Sequence, residues 1–338
     1  MKIAHIIPHS VKFPLEIHNG RYDWVLQLAT LQVRNGHQVT IYCNPDSAID
    51  DINTVGIKHA TEDKLSNNIE TFRVALHNNH DIYHSHFDNL HYEVANETTR
   101  PIVFTQHWWP HKDTINHAQS LSAKNVWAVP PTNYMHEFDR RVGIQSKGTV
   151  YHGIDLTLFQ PVATQKTERL LFVGRISPEK NLDMALSIAN KNKTDLDIIG
   201  KIALKNQQYY NSLKHLIDGK NIRYLGTKSH EELISYYSSA RALIFPSDIT
   251  EAFGLTAIEA QACGTPVIMK RGGSRTELIE EGKTGFLCET DEEFTTAIAS
   301  VDKLRAIDCI TFAKKFDINI MVQKYELLYR ELLADYSS

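Results

Sequence analysis

Glu251 and Glu259 bracket the segment Glu-Ala-Phe-Gly-Leu-Thr-Ala-Ile-Glu. Each carboxylate is a pure acceptor able to hold two hydroxyl groups. A helix starting near Gly254 turns its unsatisfied backbone amides and positive dipole end toward the preceding loop. Gly254, Leu255 and Thr256 would then form an anion cradle between the two acids. A second segment, Gly174-Arg-Ile-Ser-Pro-Glu-Lys-Asn181, carries two cations ahead of a helix predicted to start near Asn181. Arginine grips two phosphate oxygens at once and lysine adds a compact charge, so Arg175 and Lys180 suit a diphosphate. Taken singly, these residues also fit blander roles, with Arg175 and Lys180 as solvated loop charges, Glu251 as a complement to a helix dipole and Glu259 as an exposed helical residue. Their joint occurrence after two strands of one domain points instead to a polyhydroxylated ligand linked to a diphosphate, a nucleotide-sugar.

The elements that must position them form a repeating pattern. Short apolar runs of strand length alternate with amphipathic stretches of helix length, the sign of βαβ units and a mainly parallel sheet. The pattern predicts strands near 2–7, 38–43, 81–84, 101–106, 125–129 and 148–151, and again near 169–173, 196–199, 222–225, 241–245, 266–269 and 285–288. The first helix should bury Trp24, Leu28 and Leu31 on one face and end at Gly36. Residues 153–168 lose the pattern and read as a linker. An α/β fold of two doubly wound domains therefore fits better than a single α/β barrel. The expected domains are residues 1–160 and 165–315. A closing helix over about 318–335, with Tyr325, Leu328, Tyr329 and Leu332 on one face, is expected to pack back on the first domain.

Composition narrows the function classes. The chain has 338 residues, 42% hydrophobic and 22% charged, with a formal net charge of −4. That balance argues against nucleic acid as a partner. No apolar run is long enough to cross a bilayer, and the first residues do not read as a signal peptide, so a cytoplasmic location is expected. Residues 1–160 offer no basic face for anionic lipid, which leaves room only for transient membrane contact. Cys43, Cys263, Cys288 and Cys309 have no metal or disulfide spacing and are expected to be buried thiols. Among 17 histidines, the groups His84, His86, His91 and His107, His111, His117 lack a strong metal-ligand spacing. They are read as surface or supporting residues, with no metal and no cofactor expected. No Gly-x-Gly-x-x-Gly follows a predicted strand, against a dinucleotide-dependent oxidoreductase.

From Phe172 to Leu287 the sequence resembles the GT-B glycosyltransferases of family GT4. The matching pieces are Phe172-Val-Gly-Arg-Ile-Ser-Pro-Glu-Lys-Asn181, Leu196-Asp-Ile-Ile-Gly200, Ile222-Arg-Tyr-Leu-Gly226, Phe245-Pro-Ser247, Glu251 to Glu259, Gly264-Thr-Pro-Val267 and Gly285-Phe-Leu287. The resemblance implies two Rossmann-like domains facing a central cleft. It also implies retaining transfer of a sugar from a nucleoside diphosphate donor, a UDP-sugar ahead of a GDP-sugar, to a hydroxyl of a glycan, lipid-linked or small-molecule acceptor. It assigns Arg175 and Lys180 to the diphosphate, Gly254, Leu255 and Thr256 to the phosphate cradle, Glu259 to the ribose and Glu251 to the transferred sugar. In the first half, Val103-Phe-Thr-Gln-His107 is similar to the strand whose terminal histidine contacts the donor sugar. There Asn19-Gly20-Arg21 stands where the family carries paired glycines near the phosphates, leaving Gly20 to keep the turn. A nucleotide-sugar epimerase of the same architecture and a non-catalytic nucleotide-sugar binder are the alternatives.

Overall fold

The computed structural model describes residues 1–15, 20–58, 61–121, 123–247 and 251–337. The chain divides into two units, Met1–Tyr151 with Asn319–Ser338, and His152–Ile318. The first holds β1 (Lys2–Ile6), α1 (Gly20–Arg34), β2 (Gln38–Tyr42), β3 (Asn53–Val55), α2 (Lys64–His77), β4 (Ile82–Ser85), β5 (Ile102–Thr105), α3 (Lys112–Leu121), β6 (Val126–Val129) and α4 (Asn133–Val142). Its strands form one parallel sheet in the order β3-β2-β1-β4-β5-β6. The order reverses between β1 and β4, which pair directly, with His5 opposite His84.

The second unit holds β7 (Leu170–Val173), α5 (Leu182–Asn192), β8 (Leu196–Ile199), α6 (Gln207–Leu213), β9 (Ile222–Tyr224), α7 (His230–Ser239), β10 (Ala242–Phe245), α8 (Leu255–Ala262), β11 (Val267–Lys270), β12 (Gly285–Cys288), α9 (Asp291–Ser300) and α10 (Ala306–Ala313). Its parallel sheet runs β12-β11-β10-β7-β8-β9, so here the order reverses between β7 and β10. In a doubly wound sheet the loops leaving such a pair diverge to opposite faces and open a crevice at the strands' carboxyl ends. The loops after β7 and β10 are the two that carry Arg175, Lys180 and Glu251.

Both sheets are sandwiched by helices, which accounts for strands such as β4, β5, β8 and β10 being buried at every residue. Such strands read as continuous apolar runs rather than alternating ones. Local signals set the helix ends. Ser229 with Glu232 and Thr290 with Glu293 form capping boxes at the starts of α7 and α9, and Gly36 takes a left-handed backbone after α1. The last helix, α11 (Ile318–Ser337), buries Tyr325, Leu328, Tyr329 and Leu332.

Three expectations need correction. Residues 148–151 are not a strand: beyond β6 the chain makes only separate bonds, Ala128 N–H to the Gln145 carbonyl (2.8 Å) and Val150 N–H to the Pro130 carbonyl (3.1 Å). The sixth strand is β3 at the opposite edge, three residues long and too short to show a period. On α1, Gln32 is fully buried while Leu31 is half-exposed, because the Gln32 amide has polar partners within the unit. All four cysteines are buried and free, and burial raises the Cys263, Cys288 and Cys309 thiols to about 12. Among the described residues, no helix is long and apolar enough to cross a membrane.

Asp139 on α4 is a charge placed against the solvation rule. Gln106 Nε2 donates to its Oδ1 at 3.0 Å, yet Oδ2 is buried without a hydrogen-bond partner among the described residues. Burial raises its pKa to about 7. The folded state therefore holds a proton that the unfolded chain releases near pH 4. Stability from this group is greatest below about pH 4 and falls as pH rises to 7, by up to about 4 kcal/mol at 1.36 kcal/mol per unit. Asp139→Asn is expected to raise the melting temperature by several degrees at pH 8 and by much less at pH 5. An equal shift at both pH values would show that the carboxyl is not proton-linked to folding.

Candidate functional site

The donor-side candidates all lie on the second unit, at the carboxyl edge where β7 and β10 meet. After β7 the chain makes a tight turn over Pro178–Lys180, and Asn181, with φ 58°, opens α5. The Asn181 side chain donates to the Pro246 carbonyl at 3.2 Å, tying this turn to the end of β10. Lys180 Nζ pairs with the Glu251 carboxylate, and both side chains are 17% exposed. Arg175 lies at 3.3 Å from Glu179 on a more open surface. The two expected phosphate cations are thus both engaged by carboxylates. The Lys180 pair joins the loops after β7 and β10. Residues 248–250, between Ser247 and Glu251, lie outside the described residues.

Gly254 precedes α8 with φ 121°, a left-handed conformation that an L side chain rarely adopts. A Cβ there would also stand 3.0 Å from Phe245 and 3.1 Å from Leu278. The first bond of the helix runs from the Ala257 amide to the Gly254 carbonyl, so the amides of Leu255 and Thr256 precede it and point out of the helix start. Glu259 sits one turn further on and accepts a 2.7 Å hydrogen bond from the buried Tyr237 hydroxyl. Burial and the Glu259 charge hold the Tyr237 pKa well above its usual value, which keeps it a neutral donor.

Three supports escaped the sequence reading. Tyr237 lies on α7, with nothing in local spacing to connect it to Glu259. Arg275 is 1% exposed and donates to the carbonyls of Ser247 (2.7 Å) and Lys270 (2.5 Å). It clamps the loop after β10 from the side opposite Asn181. The paired glycines at 272 and 273, directly after β11, were the available signal for that loop. Gly200, at the end of β8, is the third, since a Cβ there would fall 1.7 Å from the Gly174 carbonyl oxygen.

On the first unit, Gly20 is the first residue of α1, and a Cβ would meet nothing within 4 Å. The turn it was expected to keep falls on residues 16–19, which lie outside the described residues. Arg21 stands 3.8 Å from Asp88. The histidines regroup. His84 and His86 are fully buried with His5, and His107 joins them at the partly exposed end of β5. His91 is buried elsewhere, stacked on Phe104 at 3.9 Å, and His117 pairs with Glu93. Of the two roles expected for these histidines, surface or supporting, His84, His86 and His91 are buried and hydrogen-bonded and so take the supporting one. Nitrogens of His5, His84 and His86 come within 4.8 Å of one another, but the group does not fit a metal. The His84 and His86 rings are stacked at 4.4 Å, so their in-plane lone pairs do not converge. Each of the six nitrogens is also engaged in a hydrogen bond. Gln106, Trp108 and Trp109, which flank His107 in the chain, line an open pocket together with Phe87, Asp88, Phe104 and His111. Trp109 is braced by Tyr134 and Phe138, and Trp108 is 43% exposed.

Residues 155–315 match the family described as glycosyl transferases group 1. The chain carries a glycosyl transferases group 1 domain. That domain contains Arg175, Lys180, Glu251, Gly254 and Glu259. A D-inositol 3-phosphate glycosyltransferase of Paenarthrobacter aurescens is 33% identical over 156 residues, taking in 40% of this chain and 38% of that protein. The chain thus spans about two fifths of the length of this curated relative. Among solved structures, a sucrose-phosphate synthase from Thermosynechococcus elongatus superposes with a TM-score of 0.83 at 20% identity, covering 99% of both chains. Anabaena HepE in complex with UDP gives 0.78 at 16% identity, covering 98% of this chain and all of that one. These likenesses are of fold: two units, each with a six-stranded parallel sheet, as in the GT-B fold, the second of them holding the group 1 match.

Proposed function

We propose that the chain is a retaining glycosyltransferase that moves a sugar from a nucleoside diphosphate sugar, a UDP-sugar ahead of a GDP-sugar, to a hydroxyl of a glycan, lipid-linked or small-molecule acceptor. The observation that carries this reading is the joining of Lys180 to Glu251 across the reversal point of the group 1 domain, beside the amides that open α8. The UDP bound in HepE supports the choice of nucleotide.

In this reading the diphosphate takes Lys180 and Arg175 from their carboxylate partners and rests on the amides of Gly254, Leu255 and Thr256. Glu259, oriented by Tyr237, accepts the ribose hydroxyls. Glu251 accepts hydroxyls of the transferred sugar, and His107 contacts that sugar from the first unit, where Gly20 leaves room for the phosphates to approach. The bond from the sugar's anomeric carbon to the diphosphate breaks, and its electron pair stays on the departing oxygen. The acceptor oxygen bonds the same carbon on the same face, and its proton passes to a diphosphate oxygen. Charge grows on the diphosphate as the bond breaks, so the cations and oriented amides stabilise the transition state more than the ground state. Positive charge is supplied by these groups without a divalent ion, and no glutamate is needed as a base. A proton NMR spectrum of the first product formed is expected to show the donor's anomeric configuration; the opposite anomer would overturn the mechanism.

In this reading the acceptor occupies the pocket lined by Trp108 and Asp88, where the face of Trp108 offers a stacking surface for a sugar ring and Asp88 an acceptor for its hydroxyls. Trp108→Ala is expected to raise the acceptor KM roughly tenfold, the equivalent of about 1.4 kcal/mol, while leaving slow hydrolysis of the donor unchanged. Equal losses in transfer and hydrolysis would move the acceptor elsewhere.

A further inference from the structure

Eight side chains of the first unit form one unbroken hydrogen-bonded path. From the partly exposed His107 inward, His107 Nε2 meets His86 Nδ1 (3.1 Å), His86 Nε2 meets His5 Nδ1 (3.0 Å), and His5 Nε2 meets Gln32 Oε1 (2.7 Å). Gln32 Nε2 then donates to the Tyr329 hydroxyl (3.5 Å), which meets His84 Nδ1 (2.6 Å). His84 Nε2 meets Thr105 Oγ1 (2.7 Å), and Thr105 meets Tyr325 (2.7 Å). Burial holds the His5 pKa down at about 4 and those of His84 and His86 well below their usual value. These rings are therefore neutral. A neutral imidazole donates from one nitrogen and accepts at the other, so fixing one bond of a run of neutral imidazoles fixes the direction of every bond in that run.

Gln32 supplies that fixed point. Its Oε1 can only accept, which places the His5 proton on Nε2 and leaves Nδ1 to accept from His86. His86 then carries its proton on Nε2 and accepts at Nδ1 from His107. We propose that Gln32 is a positioning residue for His107, holding it through His5 and His86 with its proton on Nε2, which in the neutral ring leaves the lone pair on Nδ1. The same amide donates through its Nε2 to Tyr329, whose hydroxyl meets His84, so residues of α11 belong to the same path. The bearing on turnover rests on the placing of His107 at the donor sugar, whereas the tautomer itself does not. An ordered tautomer spares His107 the selection of one of two ring states each time a sugar binds.

The test is a long-range proton–nitrogen NMR spectrum of the ¹⁵N-histidine-labelled protein, with the His107 signals assigned by their absence in His107→Gln. The wild type is expected to show a protonated Nε2 and an unprotonated Nδ1 at His107. Gln32→Glu, which keeps the acceptor, is expected to preserve this pattern. Gln32→Met, close in size and without the acceptor, should give a mixture of tautomers in a protein whose circular dichroism is unchanged. A wild-type proton on Nδ1, or an unaltered pattern in Gln32→Met, overturns the proposal. In turnover, kcat of Gln32→Met should fall roughly tenfold or more with donor KM unchanged, the size seen when a group that orients an active ring is removed, and Gln32→Glu should recover most of it. The expected spectra with unchanged kcat would uphold the path and remove His107 from the donor site.

Discussion

Lys180→Ala is expected to lower turnover by roughly two to three orders of magnitude, the cost of removing one oriented group that stabilises developing charge. The Lys180 ammonium lies at the reversal point of the sheet, 5.9 Å from the Phe245 ring centroid and paired with Glu251. Its surroundings are only partly solvated, so water does not replace a deleted charge there as it would on an open surface. A lysine that merely held Glu251 in place would give the same loss in Lys180→Ala and Glu251→Ala. The two variants should instead separate. Lys180→Ala weakens binding of the free nucleoside diphosphate as well as turnover, whereas Glu251→Ala leaves nucleotide affinity near normal and lowers turnover of the nucleotide-sugar. The double variant should lose less than the product of the single losses, because each single change strands a charge that the other had neutralised. Titration calorimetry with UDP beside steady-state rates measures both quantities, and normal nucleotide affinity in Lys180→Ala would take it off the diphosphate.

Gly200→Ala should be the most damaging small substitution in the group 1 domain, although Gly200 is not itself assigned a ligand. Gly174 donates to the Ile199 carbonyl at 3.0 Å and Ile176 to the Lys201 carbonyl at 3.0 Å, so the loop bearing Arg175 and Lys180 lies directly against the end of β8. A methyl group 1.7 Å from the Gly174 oxygen meets backbone rather than a movable side chain. One of the two strand ends must shift, at about 3 kcal/mol or more, the upper range of overpacking costs. The displaced loop takes Arg175 and Lys180 with it, so turnover is expected to fall along with the melting temperature. Gly174→Ala is the control: its Cβ would have nothing nearer than 3.9 Å, and its stability should change by less than about 0.5 kcal/mol. Melting curves that rank the two variants in the reverse order would contradict the close approach.

These two glycines also mark where the sequence could be read and where it could not. The glycine before Arg175 was visible as a turn residue next to a cation, yet the steric need sits across the sheet at Gly200, set by a contact that no local window contains. The parallel strands were legible because burial on both faces makes each an apolar run, as in Leu170-Leu-Phe-Val173. The three-residue edge strand Asn53–Val55 has no such run, and Val150 and its neighbours have one without a ladder to join. Arg175, Lys180, Glu251 and Glu259 were singled out because their charges stand at strand ends and a helix start. Tyr237 and Arg275 were not, because their contacts with Glu259 and with the Ser247 and Lys270 carbonyls join elements far apart in the sequence. The histidine path was least legible of all. His5 and His84 meet through strand register, and Gln32 occupies a helix position where spacing favoured Leu31.

Binding of a nucleoside diphosphate sugar to the group 1 domain through the proposed ligands Lys180, Arg175 and Glu259 is tested, without knowledge of the acceptor, by thermal denaturation in the presence of UDP, GDP, ADP and their sugars. A ligand that binds only the folded state at a hundredfold excess over its Kd adds about 2.7 kcal/mol of stability. The wild-type melting temperature should rise most with UDP and UDP-sugars, and the rise should vanish in Lys180→Ala and shrink in Glu259→Ala. A wild-type protein whose melting temperature moves with none of these nucleotides, or moves equally in the two variants, would contradict it.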